Sequence, residues 1–505
     1  MTYPYLSVLG LLPIVVAIVV AMAKPLIGRI IGLIGSLLTL VYAALIVTYS
    51  KMMMVSLTES MPWLKIIGSR YALTLDGLGL MMVAVTVVLV PVVLIAEWKT
   101  GVMAKGRLSS NTFVALVLLV QSFSLFSFMS ADLLVFFIFF EATLIPMFFL
   151  IGGWTGTKRG SGAMKFLLFG LAGGLIMLFG VIGTAVLSTA QGGPTLNFAN
   201  LAVLNLGDDW IARMVFISFF AAFALKAPLV PGHIWLPDAA EESTPGGAAL
   251  MVGVLDKLGT FGMIRVCIGI FPDQAEWARP VILVLALISI IYGGLAAIGS
   301  KNLMRLIAYT SISHFGFIVM GIFALTSQSL TGSIFYMVNH SLATTALFLV
   351  IGYLISRRGS AEVTDFGGVA KVAPLAAGFT LVASFAVCAL PGTSSFISEF
   401  LVVAGTWSRY PVIAAISVIG VVLAAVYVLW TYQRVMTGPV TYATAQHVTS
   451  DLSWHERWAL IPLVALILLL GFWPQPAMDE IKPTTEYYMV VSGAKDPVAT
   501  IEEGR

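Results

Sequence analysis

The chain is 505 residues long, and 59% of these residues are hydrophobic while only 10% are charged. An average soluble domain has about 25% charged residues, and a mean hydropathy of +1.00 is too apolar for a soluble chain of this length. Composition therefore excludes a cytosolic enzyme, and ordinary glycine and proline frequencies exclude a disordered or collagen-like chain. We expect a polytopic membrane protein.

Several functional classes are disfavoured by features that the sequence lacks. The net charge of +3 is too small to indicate a nucleic-acid partner. There is neither a GxGxxG nor a GxxxxGK[ST] motif, so no dinucleotide or nucleoside triphosphate site is predicted. Cys267 and Cys388 lie in apolar runs without a CxxC or Cys/His neighbour. We therefore expect no cofactor and no metal ion to be bound by this chain.

Long apolar runs follow one another along the chain. They are continuous rather than alternating, which favours helices over the strands of a transmembrane barrel. Because a membrane-spanning helix needs about 20 apolar residues, we predict an all-α fold with about fourteen transmembrane helices. Their ranges are about 5–23, 28–49, 73–97, 112–130, 131–151, 163–188, 211–231, 246–271, 279–299, 303–326, 329–355, 373–403, 411–434 and 456–473. No basic residue precedes the first run, so we expect it to be a retained helix rather than a signal peptide.

The distribution of lysine and arginine between alternate loops predicts the orientation. Fifteen basic residues lie in one set of loops and seven in the other. The richer set consists of Lys24, Arg29, Lys99, Lys105, Arg107, Lys158, Arg159, Lys165, Lys301, Arg305, Arg357, Arg358, Lys371, Arg434 and Arg457. Placing it in the cytoplasm puts both termini on the non-cytoplasmic side, and the acidic tail after Phe472 agrees with that placement.

Four charged residues lie well inside predicted helices: Glu141, Lys226, Lys257 and Glu399. A charge at the centre of a bilayer costs about 2.5–3.5 kcal/mol on insertion scales, so each one needs a partner or a purpose. One interpretation is that buried ion pairs only fix the helix packing. Four such residues together favour a role in moving charge or protons.

Two of these charges lie beside proline. Pro228 and Pro231 follow Lys226, and Pro391 precedes Glu399. Proline removes a backbone donor and breaks a helix, and broken helices at matching positions of two halves are typical of inverted-repeat transporters. We therefore predict two inverted repeats of five helices. Within one membrane domain, 1–505, we expect N-terminal helices in 1–100, repeats in 112–271 and 279–434, and a last helix with an acidic tail in 456–505.

Three histidines are candidates for proton transfer. His314 and His340 lie within predicted helices beside hydroxyl and amide side chains, and His233 lies just beyond the first helix break. A membrane histidine is often a packing residue, but histidine titrates near neutral pH and passes protons through either ring nitrogen. We therefore group these three with the four buried charges and assign no chemistry to His447 and His455.

Long motifs in the chain resemble a known family. They are FFEATLIPMFFLIGGW (139–154), KAPLVPGHIWLPDAAEESTPGGAALMVGVLDKLGTFGMIR (226–265) and LMRLIAYTSISHFGF (303–317). These segments are similar to the proton-translocating antiporter-like subunits of respiratory complex I, NADH:quinone oxidoreductase. Length, helix number and a glutamate at position 399, where L- and N-type subunits usually carry lysine, make the M type the most similar. The absence of a long lateral C-terminal helix argues against the L type.

The resemblance implies a proton pump without redox chemistry of its own, driven by quinone reduction elsewhere in the complex. It implies NADH, FMN, iron–sulfur clusters and quinone in partner subunits, L-type and N-type neighbours in the membrane, and lipid contacts. The implied location is a bacterial cell membrane rather than an organelle inner membrane. Glu141 would modulate Lys226. Lys226 and Lys257 would carry protons with His314 and His340 as bridges, and Glu399 would release them, while His233 would act near Lys226.

The chain departs from the family pattern at a few positions. Gly232 stands where phenylalanine is frequent, and Ala240 or Glu241 stands where histidine is frequent, so that the chain has the acidic pair Glu241-Glu242 there. Asp256, directly before Lys257, occupies a position that is usually apolar. These changes leave the predicted charged series intact.

Two other functions remain open from the sequence. The first is a subunit of a multisubunit Na⁺/H⁺ antiporter, which Glu399 in place of lysine disfavours. The second is a structural membrane protein whose buried charges only pair helices.

Overall fold

The computed structural model describes residues 3–99, 108–154 and 160–497. In chain order its helices are α1 (Tyr5–Met22), α2 (Pro25–Met53), α3 (Gly77–Ala96), α4 (Ser110–Met129), α5 (Leu133–Ala142), α6 (Leu144–Gly152), α7 (Ser161–Thr189), α8 (Phe198–Leu201), α9 (Trp210–Lys226), α10 (Trp235–Glu242), α11 (Pro245–Leu250), α12 (Lys257–Gly262), α13 (Pro272–Gly299), α14 (Leu303–Ala324), α15 (Ser327–Arg358), α16 (Val369–Val372), α17 (Pro374–Val387), α18 (Ser394–Trp407), α19 (Pro411–Met436), α20 (Tyr442–His447), α21 (Trp454–Phe472) and α22 (Gln475–Val491). Two strands, β1 (Thr58–Pro62) and β2 (Arg70–Thr74), lie between α2 and α3.

The helical membrane fold is confirmed. Within the described residues, twelve helical segments are long and apolar enough to cross a membrane. The predicted spans 211–231 and 373–403 are not among them, because each one is interrupted in the structure. The exact number of fourteen spans stays a prediction. The basic residues Lys105, Arg107, Lys158 and Arg159, which contribute to the predicted orientation, lie outside the described residues, as do Glu502, Glu503 and Arg505 of the tail.

Both helix breaks lie where proline predicts them. The first of the two interrupted helices is α9, which ends at Lys226 instead of reaching residue 231. A 3₁₀ turn over Gly232–Ile234 then leads into α10. The second break separates α17 from α18 and contains Pro391. Proline removes a backbone donor and its ring clashes with the preceding turn, which favours a helix end at these positions. Lys226 therefore lies at a helix end, not in a helix interior as the sequence suggests.

Two features of the structure are absent from the predicted elements: a pair of strands and a helix in the acidic tail. β1 and β2 form an antiparallel pair, with Thr58 opposite Thr74 and Pro62 opposite Arg70, so α3 begins later than the predicted start at residue 73. The acidic tail forms α22, which packs against α3 and α15. The buried positions of α22 recur at helical spacing, as in Ile481 and Tyr488, and the sequence analysis missed this pattern because the helix is too polar to resemble a membrane span.

The centre of the fold is formed by three segments. In 245–268 and in α15 the whole of the most apolar stretch is buried, and in α14 94% of it is buried. By contrast, only 33% of the corresponding stretch is buried in α2, α7 and α19. These outer helices expose large apolar side chains such as Leu175 and Val422, as expected for surfaces that contact lipid. Of the four charged residues, Lys257 lies in this centre, whereas Glu141, Lys226 and Glu399 lie on α5, α9 and α18.

The central segment 245–268 is not a regular α-helix. π-helical turns over Met251–Leu255 and Met263–Ile268 flank α12. A π turn widens the helix by one residue and leaves backbone carbonyls that side chains can use, and such turns are frequent at functional sites. Lys257 begins α12, and a single residue, Asp256, separates it from the first of these turns.

A glycine lets α12 approach the end of α9. A Cβ atom on Gly259 would lie 2.6 Å from the backbone nitrogen of Ala227 and 2.6 Å from the carbonyl oxygen of Phe223. Backbone atoms in a packed helix cannot move aside cheaply. We therefore expect Gly259→Ala to lower the free energy of unfolding by about 1–3 kcal/mol, measured by thermal denaturation of the purified protein in detergent.

The control for this prediction is Gly378→Ala. Gly378 lies within α17 and has open space where a Cβ atom would stand, so the same substitution should leave thermal stability unchanged or slightly raised. Equal stability of the two variants would show that the close approach at Gly259 is not required.

Candidate functional site

Lys226 is buried at the C-terminal end of α9, and only 4% of it is exposed. Its Nζ donates a hydrogen bond to Thr143 Oγ1 at 3.3 Å and lies 5.0 Å from the centre of the Phe140 ring. The C-terminal end of a helix carries partial negative charge and favours a cation, and an aromatic face does the same. The site thus stabilises the lysine charge without a carboxylate in contact.

Glu141 lies near Lys226 but does not contact it. Within the described residues, no ion pair at 4.0 Å or less involves Glu141, Lys226, Lys257 or Glu399, although such pairs hold several helix ends together, for example Arg357 with Glu456. The Glu141 carboxylate packs against Gly174 of α7, and its Oε1 atom has no hydrogen-bond partner. The expected neighbours are thus close enough to interact electrostatically, while the hydrogen bond of Lys226 goes to Thr143.

Lys257 is completely buried at the start of α12. Its Nζ donates a hydrogen bond to the carbonyl oxygen of Val252 at 2.8 Å and lies within hydrogen-bond distance, 2.6 Å, of Nδ1 of His340. The π turn before α12 presents the Val252 carbonyl to the lysine. The contact between Lys257 and His340 joins the segment 245–268 directly to α15.

The two central histidines stand side by side. The rings of His314 on α14 and His340 on α15 are 5.2 Å apart between centroids and nearly perpendicular. His314 Nε2 lies 3.3 Å from the hydroxyl of Tyr427, and its ring is 5.9 Å from that of Tyr336. A proton leaving the Lys257 contact thus has titratable or hydroxyl groups on three helices within a few ångströms.

Glu399 terminates this series on α18. Its Oε2 accepts a hydrogen bond from Tyr336 at 2.8 Å, while Oε1 has no partner. Glu399 also lines a crevice of about 430 Å³ next to the second helix break, together with Cys388 and Pro391. The carboxylate therefore faces buried polar groups on one side and an open crevice on the other.

Comparison with known proteins decides the family. Residues 130–443 match the NADH:quinone oxidoreductase/Mrp antiporter transmembrane family. The chain belongs to this family. All seven predicted site residues fall within the matched range, whereas α1, α2, α3, α4, α21 and α22 lie outside it.

Individual members of the family resemble the chain over nearly its whole length. NADH-quinone oxidoreductase subunit M of Mycobacterium tuberculosis is 44% identical, and the match covers 99% of this chain and 96% of that protein. A chain of respiratory complex I from Thermus thermophilus with bound NADH has 29% identity and a TM-score of 0.86, covering 97% of this chain and 100% of that one. A chain of the Mrp complex from Dietzia sp. has a TM-score of 0.82 at 21% identity, over 98% of this chain and 100% of that one, which shows the fold alone. The chain is thus a multi-pass membrane protein of this family.

His233 does not join the central series. It lies on the 3₁₀ turn after the first break, and its ring packs edge-on against Tyr292, 4.8 Å between centroids. In the described part of the chain, no hydrogen bond, ion pair or ring contact connects it to Lys226. The other two histidines, His447 and His455, lie in or next to the loop between α19 and α21, away from the site.

Some residues of the site were missed by the sequence analysis. Tyr336 precedes His340 by four residues and therefore shares its helix face, a signal that could have been used. Thr143 follows Glu141 by two residues, a spacing that does not place two side chains on the same helix face. Tyr427 lies in an otherwise apolar helix, and nothing in its sequence context distinguishes it.

No arrangement for a metal ion is present in the described ranges, because no three His, Cys, Asp or Glu side chains are grouped closely enough there. Cys267 is buried and Cys388 is partly buried, and both are free thiols.

Proposed function

We propose that the chain is a proton-translocating membrane subunit of a NADH:quinone oxidoreductase, similar to subunit M. The observation that carries the proposal is the buried series of proton-binding groups from Lys257 through His340 and His314 to Tyr336 and Glu399. The similarity to subunit M of Mycobacterium tuberculosis and to a chain of the Thermus complex supports it. Membership of an enzyme complex would make the chain part of a translocase without a redox centre of its own.

In the proposed route, Lys226 and Lys257 are the central carriers. His340 and His314 pass protons between Lys257 and the tyrosine hydroxyls, and Glu399 releases them toward the non-cytoplasmic side. His233, which packs against Tyr292, has a lesser role near Lys226. Because the charged groups make no ion pairs with each other in the described residues, the alternative of charges that only pair helices is poorly supported.

Glu141 is the proposed modulator of Lys226. A nearby carboxylate favours the protonated lysine, and increasing the separation in a nonpolar interior favours release of the proton. Moving one charge against 100 mV costs about 2.3 kcal/mol, which is within the range that charge separation in a protein interior supplies. The contact of Lys226 with Thr143 instead of Glu141 corresponds to the separated arrangement.

The remaining expectations also belong to this proposal. We infer that quinone reduction in partner subunits drives the pump, that those subunits hold NADH, FMN, iron–sulfur clusters and quinone, and that L-type and N-type subunits are the membrane neighbours. We further infer that the protein lies in a bacterial cell membrane, with lipid around the outer helices and both termini on the non-cytoplasmic side. We also infer one membrane domain with inverted repeats over 112–271 and 279–434. Its N-terminal helices lie in 1–100, and its last helix and tail lie in 456–505.

Substitution of Glu141 tests the proposal. We expect Glu141→Gln, in the assembled complex, to lower NADH-driven proton pumping and coupled quinone reductase activity about fivefold, equivalent to about 1 kcal/mol. Oxidation of NADH by an artificial acceptor should not change, because it requires no proton movement in the membrane. Pumping is measured by acidification of sealed vesicles.

The matched control is Glu362→Gln, which neutralises an exposed glutamate outside the site. It should pump like the unmodified complex. Normal pumping by the assembled Glu141→Gln variant would contradict the role of Glu141, and vesicles in which pumping depends on Na⁺ but not on NADH would favour the antiporter instead.

A further inference from the structure

Asp256 is a buried carboxylate without an obvious structural purpose. It lies between the π turn and Lys257, is 0% exposed, and neither of its carboxylate oxygens has a hydrogen-bond partner. Although it is adjacent in sequence to Lys257, no ion pair joins the two side chains in the described part of the protein. Buried polar groups are nearly always satisfied, so each exception calls for an explanation.

Asp132 shows how a structural carboxylate is held in this protein. It is equally buried, but it accepts hydrogen bonds from Ser69 Oγ at 2.9 Å, from the backbone nitrogen of Arg70 at 2.9 Å and from that of Leu134 at 3.0 Å. These bonds stabilise the charged form and fix the start of α5. Asp256 has no comparable bonds, and therefore a capping or packing role does not account for it.

The angular position of Asp256 around the helix axis can be compared with those of Gly259 and Lys257. Gly259 marks the face of α12 that touches α9 at Ala227, the residue after Lys226. At about 100° per residue, Asp256 lies about 60° around the helix from that face. Lys257 lies about 160° from the same face and reaches His340 on α15.

The charge of Asp256 acts on both lysines. Its carboxylate interacts electrostatically with Lys257 and with Lys226, because both lie in the same water-poor interior, where charges are weakly screened. Glu141 also interacts electrostatically with Lys226, whereas the contacts of Lys257 are with a carbonyl and a histidine. Asp256 thus adjoins Lys257 in the chain and directly precedes α12, the helix that approaches the residue after Lys226.

We infer that Asp256 is a proton-binding residue that transfers protons between Lys226 and Lys257, an inference that rests on the proposed function. In the first step a proton leaves the Lys226 ammonium for the Asp256 carboxylate, which gives a neutral amine and a neutral carboxylic acid. In the second step the acid passes that proton to the Lys257 amine, which restores the carboxylate and forms an ammonium. No oxidant, reductant or other reactant is needed.

The test is Asp256→Asn in the complete complex, with Asp256→Glu as the conservative variant. Asparagine keeps the volume of the side chain but cannot bind and release a proton at physiological pH. We expect it to lower NADH-driven acidification of vesicles about tenfold or more, and we expect glutamate to restore a large part of the activity. Asp273→Asn, at an exposed aspartate, is the matched control and should pump normally.

A proton carrier differs from a fixed counter-charge in its infrared spectrum. We expect the difference spectrum between the resting and the NADH-energised complex to contain a carboxylic acid C=O band that is absent from Asp256→Asn and present in Asp273→Asn. A counter-charge that stays ionised would give no such band. Normal pumping by Asp256→Asn, or a band unaffected by the substitution, would overturn the inference.

Lys226→Ala in the same assay separates this inference from the proposed function. Loss of pumping in both Lys226→Ala and Asp256→Asn supports both. Loss in Lys226→Ala with normal pumping in Asp256→Asn overturns only the role of Asp256. Normal pumping in Lys226→Ala contradicts the proposed route itself and the inference with it.

Discussion

Replacing Lys226 with alanine should reduce proton pumping by the assembled complex to below about a tenth of the normal rate, a loss of more than about 1.4 kcal/mol. The physical reason is that the proposed route assigns Lys226 as the carrier at the first helix break, so alanine leaves the route without its carrier at that point. Its Nζ is held by Thr143 Oγ1 and by the aromatic face of Phe140, neither of which can take over its proton. Acidification of sealed vesicles after addition of NADH measures the effect.

Lys301→Ala is the control for this experiment. Lys301 is exposed and precedes α14, outside the series of buried groups, so its removal should leave pumping and the coupled quinone reductase activity intact. The amount of assembled complex must be equal in both variants, because loss of assembly would also abolish pumping. Normal pumping by Lys226→Ala would refute the assignment of Lys226 as a carrier.

The second large effect is expected at Glu399. Glu399→Gln removes the only titratable carboxylate at the second helix break in the part of the chain that the structure describes, and pumping should fall by about tenfold or more. Glutamine fits the same space and can still accept the Tyr336 hydrogen bond, so the fold should remain intact. Unchanged thermal stability together with lost acidification would distinguish loss of proton release from unfolding.

The contact of Glu399 with Tyr336 can be examined separately. Tyr336→Phe removes one hydroxyl and leaves Oε2 without its 2.8 Å hydrogen bond, so we expect a smaller decrease in pumping than for Glu399→Gln. Tyr353→Phe is a matched control on the same helix, because the Tyr353 hydroxyl has no hydrogen-bond partner. Equal pumping in the two phenylalanine variants would mean that the Tyr336 hydroxyl takes no part in the route.

The residues identified from the sequence are those whose presence conflicts with a membrane interior. Glu141, Lys257 and Glu399 are conspicuous because an apolar run surrounds each of them, and the energetic cost of burying a charge makes such residues rare without a function. His314 and His340 gained significance as members of the same series. This reasoning needs no three-dimensional information.

The contacts between these residues could not be predicted from the sequence. The 2.6 Å contact of Lys257 with His340 joins residues 83 positions apart, and the π turn that presents Val252 to Lys257 has no sequence pattern that we could recognise. Glu141 and Lys226 interact electrostatically, but the hydrogen bond of Lys226 to Thr143 was not predicted. His233 was predicted from its position beside the break, but its ring turns toward Tyr292 and away from the series.

What the sequence by itself determined is the membrane class, the approximate spans, the helix breaks and the buried charges, because each depends on the local exclusion of water and on the missing donor of proline. What only the tertiary structure decided is how these groups meet: Lys226 at a helix end, Lys257 against His340, Tyr336 bound to Glu399, and a tail folded into α22. Helices in lipid can pack in many registers at similar cost, since apolar faces are alike. The close approach at Gly259 and the contacts between distant side chains select one of them, and that choice places the proton-binding groups in a row.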